Sequence, residues 1–218
     1  MDIIGHRGCE AHAPENTVAA VEHAAAEVDL VEVDVRRCGS GELVCAHDEG
    51  LERTTGYGGD VSQTPWDRLR ELDVQGSGEP IPRFDTLLDA CPSGIGLNVD
   101  IKDADAAADV FAALEGQQVT PVIVSVGPDT LADRSDSVDP MLGLTVEGDP
   151  EVGIARALDH GYDYLHVLFS LCFGTEIVDL AHEADLAVDA WSVGDRETLR
   201  RLEEAGVDAV TVTACDID

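Results

Sequence analysis

Short runs of apolar, often β-branched residues alternate along this chain with longer amphipathic stretches, and this alternation limits the possible folds more than any other feature. The strand-like runs occupy residues 3–4, 30–35, 43–46, 96–101, 121–125, 141–145, 164–168, 187–191 and 209–212. Stretches with helical spacing of apolar residues occupy 17–27, 104–114, 151–160, 175–184 and 196–205. Strands that alternate with helices pair in parallel and carry the helices outside the sheet. The pattern predicts an α/β fold, either an open doubly wound sheet or a closed barrel.

The number of strand candidates exceeds the eight of a closed barrel by one, and a short connection explains the excess. Residues 36–42 separate the second and third runs, whereas a parallel crossover needs about a dozen residues or more. The Gly39-Ser40-Gly41 turn therefore predicts an antiparallel hairpin, which would bring His47 back towards Glu32.

A single domain over residues 1–218 is expected, because 44% of the residues are hydrophobic and no linker divides the chain. Residues 48–83 form a mostly irregular excursion with one helix candidate at 65–72. Excursions of this length usually shape an active site rather than a core.

The charge of the chain excludes whole classes of partner. Lys and Arg number 13 against 45 Asp and Glu, for a formal net charge of -32. Such a field repels nucleic acids and anionic membranes, and no stretch approaches the ~18 consecutive apolar residues of a membrane-spanning helix.

The N-terminal residues carry no basic segment, so we expect a cytoplasmic protein without a signal peptide. The evenly spread carboxylates resemble those of halophile proteins that work in molar salt.

The cysteines are expected to be reduced thiols. They number six and contain no C-x-x-C pair, which makes a structural zinc site improbable. A large chain without a secretion signal normally keeps its thiols reduced.

Clusters of polar residues follow several of the strand candidates. They are His6-Arg7 after the first run, Glu15-Asn16 at the start of the first helix, Glu32 and Asp34 in the second run, His47 after the third, and Asp100 with Lys102 at the end of the fourth. Residues i and i+2 of a strand share a face, and inward residues at the C-terminal ends of barrel strands are typical of catalytic sites.

These residue types suit phosphate chemistry. Three inward carboxylates repel one another unless a cation lies between them, and an oxygen-ligand site of Glu32, Asp34 and Asp100 suits one divalent metal ion such as Mg²⁺, Ca²⁺ or Mn²⁺. Two histidines suit a general acid and a general base. Arginine and lysine suit an anionic phosphate.

Six motifs, in order, resemble the glycerophosphodiester phosphodiesterase family. They are H-R-G, P-E-N-T, E-x-D, H-D, R-T-T-G at 53–56 and D-I-K, and later strands add further similarity around Trp191. The resemblance covers nearly the whole chain. It implies a single-domain TIM (β/α)8 barrel of the phospholipase-C-like (PLC-like) phosphodiesterase type that hydrolyses glycerophosphodiesters to glycerol phosphate and an alcohol.

The resemblance also implies a role for each matching residue. Glu32, Asp34 and Asp100 would bind the metal, and His6 and His47 would form the acid–base pair. Substrate and phosphate contacts would come from Arg7 and Lys102, from Trp191 lining the pocket, and from Glu15 and Asn16 supporting its floor. His166, inside a strand, is expected to be a buried core imidazole.

Two alternatives remain beside hydrolysis. Asp100 stands where the family usually has Glu, whereas a sister branch, the sphingomyelinase-D-like phospholipases, has Asp there and expels its alcohol by internal attack. The first alternative is therefore a lyase-like phospholipase that gives a cyclic phosphate. The second is a catalytically silent, phosphoester-binding barrel. Several properties stay open: the head group, the metal, the oligomeric state, the stereochemistry of the glycerol phosphate, and the division of roles between His6 and His47.

Overall fold

Eight parallel strands close into a barrel in the computed structural model, which describes residues 1–125 and 138–217. The strands in this part of the chain are β1 (Asp2–Gly5), β2 (Leu30–Arg37), β3 (Leu43–Cys45), β4 (Gly96–Ile101), β5 (Thr120–Ser125), β6 (Met141–Val146), β7 (Tyr164–Leu168), β8 (Ala187–Val193) and β9 (Ala209–Val212). The sheet order is β1-β9-β8-β7-β6-β5-β4-β2-β3, and β1 also pairs with β2. This last pairing closes the circle, so the prediction of a (β/α)8 barrel is confirmed and the open sheet is excluded.

The extra strand is β3, and it lies outside the closed ring. It pairs antiparallel with β2, opposite Val35, Arg36 and Arg37. The turn is closed by a hydrogen bond from the Gly41 amide to the Cys38 carbonyl, with a φ of 100° at Gly41 that favours glycine. The predicted hairpin is confirmed, and it carries the residues after β3 to the C-terminal ends of the barrel strands.

The helices surround the barrel. They are α1 (Val18–Ala24), α2 (Glu52–Thr55), α3 (Trp66–Leu69), α4 (Phe84–Ala90), α5 (Ala107–Leu114), α6 (Pro150–His160), α7 (Leu171–Gly174), α8 (Ile177–Glu183) and α9 (Arg196–Ala205). The prediction for α9 matches both ends, because Asp195 caps its N-terminus and Gly206 ends it in a left-handed conformation. Helix α4 was not predicted, although Phe84, Leu87 and Leu88 bury one face of it. None of the helices in the described part of the chain is long and apolar enough to span a membrane.

The main core lies between the helices and the outer face of the barrel. Its fully buried members include Phe84, Phe111, Ile123 and Leu165. The excursion 48–83 adds a smaller cluster with the residues around the β2–β3 hairpin, formed by Cys38, Val44, Leu51, Val61, Leu69, Leu72, Val74 and Ile81. The excursion therefore has a small hydrophobic core of its own, which holds it over one side of the barrel mouth.

Cys9 and Cys215 form a disulfide, so the expectation that all cysteines are reduced is wrong for this pair. Their Cα atoms lie 5.6 Å apart, although 206 positions separate them in sequence. The reason is topological, since β1 and β9 are parallel neighbours and the segments that follow them emerge side by side. The other four cysteines, Cys38, Cys45, Cys91 and Cys172, are free thiols.

Candidate active site

Three carboxylates meet inside the C-terminal half of the barrel. Glu32 and Asp34 lie on β2, and Asp34 is the register partner of Asp100 on β4. One oxygen from each of the three side chains lies within 4.8 Å of the others, and all three residues are buried. The Arg7 amide donates a hydrogen bond of 2.6 Å to Glu32 Oε2, which fixes the position of that carboxylate.

Two of these carboxylates, Glu32 and Asp34, titrate very differently. Burial and the neighbouring charge of Asp34 raise the pKa of Glu32 to about 8. Burial also opposes ionisation of Asp34, but the positive charges of Lys102 and Arg7 outweigh it and lower the pKa of Asp34 to about 2. Asp34 Oδ1 and Asp100 Oδ1 are buried and have no hydrogen-bond partner in the described residues. Buried carboxylate oxygens of this kind are expected to bind a cation.

Two side-chain cations already lie at the cluster. Lys102 Nζ lies 2.9 Å from Asp34 Oδ1 and 2.5 Å from Asp100 Oδ2, the first contact being an ion pair without hydrogen-bond geometry. Burial alone would lower the pKa of Lys102, but Asp34 and Asp100 outweigh that effect and raise it, so the ammonium stays charged. Arg7 Nε lies 3.4 Å from Asp34 Oδ2. Both predicted phosphate contacts therefore also balance the charge of the carboxylates.

The turn that carries His6 and Arg7 requires a glycine. His6–Gly8 is a single 3-10 turn directly after β1, and the φ of Gly8 is 78°. A Cβ on Gly8 would lie 2.5 Å from the Cβ of Ala20 on α1. The glycine of the H-R-G motif therefore lets this turn pack against α1.

Glu15 and Asn16 support the site from below. Asn16 Nδ2 donates to Asp34 Oδ2 at 2.7 Å, and Asn16 Oδ1 accepts from the Asp34 amide at 2.9 Å. Glu15 receives two hydrogen bonds from Arg53, of 2.6 and 2.8 Å, and contacts Arg7 at 3.2 Å. Arg53 belongs to the R-T-T-G motif but was not predicted as a site residue.

Each of the two candidate catalytic histidines is held by a carboxylate. His6 Nδ1 lies 2.6 Å from Glu10 Oε1, and His47 Nδ1 lies 2.6 Å from Asp48 Oδ1. An ionised carboxylate only accepts, so Nδ1 carries the proton in each pair and Nε2 is the nitrogen available for proton transfer. Burial lowers the pKa of His6, but the charges of Glu32 and Glu10 outweigh it and raise it overall. Glu10 was not predicted as a site residue.

A cavity of about 380 Å³ joins the predicted residues. Its walls include most of the predicted site residues, namely His6, Arg7, Glu32, His47, Asp100, Lys102 and Trp191. Asp34 and Asn16 are buried beneath it, and Glu15 and Asn16 line a smaller recess next to His47. The structure thus brings the ten predicted positions into one region at the barrel mouth.

His166, predicted to be a buried core imidazole, also lines this cavity. It is buried, but its ring stacks on Trp191 with centroids 5.3 Å apart, and its Nδ1 lies 2.6 Å from Asp189 Oδ2. Strand β7 is buried on both faces for most of its length, so the sequence shows no polar alternation that could indicate which face is the cavity side.

The fold and the site indicate the class of protein. It is an enzyme built on a (β/α)8 barrel, with buried carboxylates and two carboxylate-held histidines around one cavity. Residues 6–110 match the glycerophosphoryl diester phosphodiesterase family. Glycerophosphodiester phosphodiesterase GDPD4 of Arabidopsis thaliana is 29% identical over 234 residues, which are 97% of this chain and 70% of that protein. YhdW of Bacillus subtilis, a candidate glycerophosphodiester phosphodiesterase, is 25% identical over 96% of this chain and 93% of its own length.

A solved structure agrees with these relatives. A phosphodiesterase of Oleispira antarctica, in complex with its product sn-glycerol-3-phosphate, superposes with a TM-score of 0.87 at 26% identity. The match covers 98% of this chain and 93% of that one. In sequence and in fold, the chain is similar to members of the glycerophosphodiester phosphodiesterase family.

Proposed function

We propose that this protein is a metal-dependent hydrolase that cleaves glycerophosphodiesters to glycerol phosphate and an alcohol. The observation that carries the proposal is the meeting of two carboxylate-held histidines, His6 and His47, with a buried three-carboxylate cluster in one cavity. Neither feature contributes to the apolar core. Burying charged and polar groups lowers the stability of a fold, so their presence here indicates a functional role.

The residues fit one divalent cation. Two carboxylate oxygens, Asp34 Oδ1 and Asp100 Oδ1, are buried without a hydrogen-bond partner in the described residues. One oxygen from each of the three carboxylates lies within 4.8 Å of the others. Glu32, Asp34 and Asp100 would hold the ion, and an all-oxygen donor set suits Mg²⁺, Ca²⁺ or Mn²⁺. When bound, such an ion stabilises negative charge on the phosphate oxygens.

Other side chains of the site bind the phosphate, transfer protons or position these residues. Arg7 and Lys102 line the cavity next to the carboxylates and attract the phosphate anion. One of His6 and His47 accepts the proton of the attacking water through Nε2, and the other donates a proton to the leaving alkoxide. Glu10 and Asp48 hold the two rings, and Asn16 holds Asp34.

Asp100 supports one alternative, a lyase-like phospholipase that releases a cyclic phosphate. Asp is one methylene shorter than the Glu that the family usually has at this position, which changes the reach of the third carboxylate. In that reaction the deprotonated nucleophile is the neighbouring hydroxyl of the substrate instead of water.

The experiment is an assay of the purified protein in molar KCl with glycerophosphocholine, with and without EDTA, and with Mg²⁺, Ca²⁺ or Mn²⁺ added back. We expect metal-dependent release of glycerol phosphate, observed by phosphorus NMR. A persistent cyclic phosphate would instead support the lyase. Metal binding without turnover of glycerophosphocholine or bis(p-nitrophenyl) phosphate would support the silent barrel.

We further propose that the protein works in the cytoplasm of a host with high internal salt. The net charge of -32 supports the high-salt part of this proposal. Disulfides are more typical of oxidising compartments, so the redox state of Cys9 and Cys215 in rapidly alkylated cell extracts tests the cytoplasmic part.

A further inference from the structure

A row of polar residues crosses four neighbouring strands on the side of the barrel away from the carboxylate cluster. Thr145 on β6 is the register partner of His166 on β7, and His166 is the partner of Asp189 on β8. Thr211 on β9 continues the row, because its hydroxyl lies 3.1 Å from Asp189 Oδ2. The mechanism described above uses none of these four residues.

The position of this row is set by the strand order. In the ring β1-β2-β4-β5-β6-β7-β8-β9, strand β7 lies four strands from β2 in either direction. His166 therefore faces Glu32 and Asp34 from the opposite wall. A phosphate held at the carboxylate side would direct one of its ester substituents towards His166.

Asp189 determines which form of His166 faces the cavity. Asp189 is buried and accepts hydrogen bonds from His166 Nδ1 at 2.6 Å and from the Thr211 hydroxyl. Because the carboxylate accepts, Nδ1 is protonated, and the neutral imidazole presents Nε2 as an acceptor. Stacking on Trp191 at 5.3 Å fixes the plane of the ring. Asp189 is thus a positioning residue for His166.

Two further polar atoms on this wall have no hydrogen-bond partner among the residues that the structure describes. Thr145 Oγ1 and Trp191 Nε1 are buried and make no hydrogen bond within the described residues, and both residues line the cavity. A buried unsatisfied donor or acceptor is costly unless a ligand or water satisfies it. The wall therefore offers an imidazole acceptor, a hydroxyl and an indole donor in one place.

We propose that Thr145, His166 and Trp191 form a subsite that binds the hydroxyl groups of the glycerol moiety. A polyol can donate to His166 Nε2, exchange a hydrogen bond with Thr145 and accept from Trp191 Nε1. A quaternary ammonium group has no donor for the imidazole or for the threonine, so the choline end of glycerophosphocholine fits this wall poorly. The inference rests on the proposed function and assigns the wall that binds glycerol.

The test compares binding of two phosphate monoesters that differ in their hydroxyl groups. The ratio of the Kd of methyl phosphate to that of glycerol phosphate, measured by calorimetry with saturating Mg²⁺, isolates the glycerol contacts. We expect the wild-type protein to prefer glycerol phosphate. His166→Phe, which retains a ring to stack on Trp191, should reduce this ratio about tenfold, the loss expected for a hydrogen bond. Thr145→Val keeps the shape of the side chain and should reduce it about three- to tenfold.

A control variant separates recognition from damage to the fold. His182 forms a comparable pair with Asp208, at 2.9 Å, but it is exposed on α8, so His182→Gln should leave the ratio unchanged. Asp189→Asn should weaken glycerol phosphate more than methyl phosphate, since it acts through the orientation of His166. In the turnover assay, His166→Phe should raise KM for glycerophosphocholine more than it lowers kcat.

The outcomes distinguish the two proposals. An unchanged ratio in Thr145→Val and His166→Phe, or a wild-type protein that binds both monoesters equally, would overturn the subsite. If His166→Phe does not fold, Thr145→Val alone decides. A wild-type protein that prefers glycerol phosphate through these residues but cleaves no phosphodiester would retain the subsite and refute the hydrolase.

Discussion

His6 Nδ1 lies 2.6 Å from the carboxylate of Glu10, four residues further along the same loop. This contact is the local counterpart of the pair between His47 and Asp48, also 2.6 Å long. In both pairs the carboxylate engages Nδ1, which leaves Nε2 as the nitrogen for proton transfer. The charge of Glu10 is also one of the causes that raise the pKa of His6.

The substitution Glu10→Gln should identify the role of His6. Gln still accepts a hydrogen bond from Nδ1 but removes the negative charge, so the pKa of His6 should fall. If His6 is the general base, the acidic limb of the kcat/KM–pH profile moves to lower pH, because the neutral ring persists at lower pH. If His6 is the general acid, the alkaline limb moves to lower pH.

The matched control for this profile is Glu22→Gln, which removes one exposed carboxylate from α1. It should leave both limbs in place. A profile of Glu10→Gln that overlies that of the wild-type protein would show that Glu10 does not act on His6.

Removing either catalytic imidazole should abolish most of the activity and preserve the fold. His6→Ala and His47→Ala should each lower kcat about 10²- to 10⁴-fold, the range of general acid–base catalysis. His182→Ala, outside the cavity, should retain wild-type kcat. Circular dichroism and a denaturation midpoint close to that of the wild-type protein would establish that the loss is chemical. Unchanged turnover in either cavity variant would refute its assignment.

The parallel strands and the carboxylate cluster were predictable from the same strand pattern, whereas the closed barrel was implied by the family resemblance. Glu32 and Asp34 are separated by two positions on a strand, so they share a face, and Asp100 ends a neighbouring parallel strand. Parallel strands place their C-terminal ends together, which is how Asp34 and Asp100 become register partners. The short 36–42 connection likewise determined the antiparallel hairpin.

The features that were not predicted involve residues that are neighbours only in the folded structure, or residues that no local sequence pattern marks. The disulfide joins Cys9 to Cys215 across 206 positions, and only the pairing of β1 with β9 makes them neighbours. His166 lies on a strand buried on both faces, where alternation does not mark the cavity side. Glu10 belongs to no motif, and its role follows from the turn at 6–8, which brings it back to His6.

The disulfide should stabilise the protein considerably. A crosslink that closes a very long loop limits the unfolded chain, and loss of a native disulfide typically costs about 2–5 kcal/mol. We expect Cys215→Ser to lower the free energy of unfolding in urea by an amount in this range, and Cys91→Ser, which removes a free thiol, to have a much smaller effect. A phosphine reductant should destabilise the wild-type protein but not Cys215→Ser. Equal stability of the three proteins would show that the crosslink contributes nothing.

Salt should stabilise the protein by screening its own charge. With a net charge of -32, carboxylates repel one another over a Debye length of about 10 Å at 0.1 M salt, which shrinks to about 3 Å at 1 M. The free energy of unfolding should therefore rise with KCl and level off near molar concentration, at constant saturating Mg²⁺. Sodium and potassium chloride should act alike, because screening depends on ionic strength.

A variant with fewer negative charges distinguishes the screening of carboxylate repulsion from the general effect of salt on the burial of apolar surface. Glu22, Asp159 and Glu203 are exposed on α1, α6 and α9, away from the cavity. Replacing them with Gln, Asn and Gln removes three negative charges, which should raise stability at 0.1 M KCl and leave it nearly unchanged at 2 M. Because screening acts only where repulsion exists, the dependence on salt should become shallower. If the variant follows the wild-type curve with the same slope, or if wild-type stability does not change with salt, then repulsion between these carboxylates does not limit the fold and the high-salt adaptation is refuted.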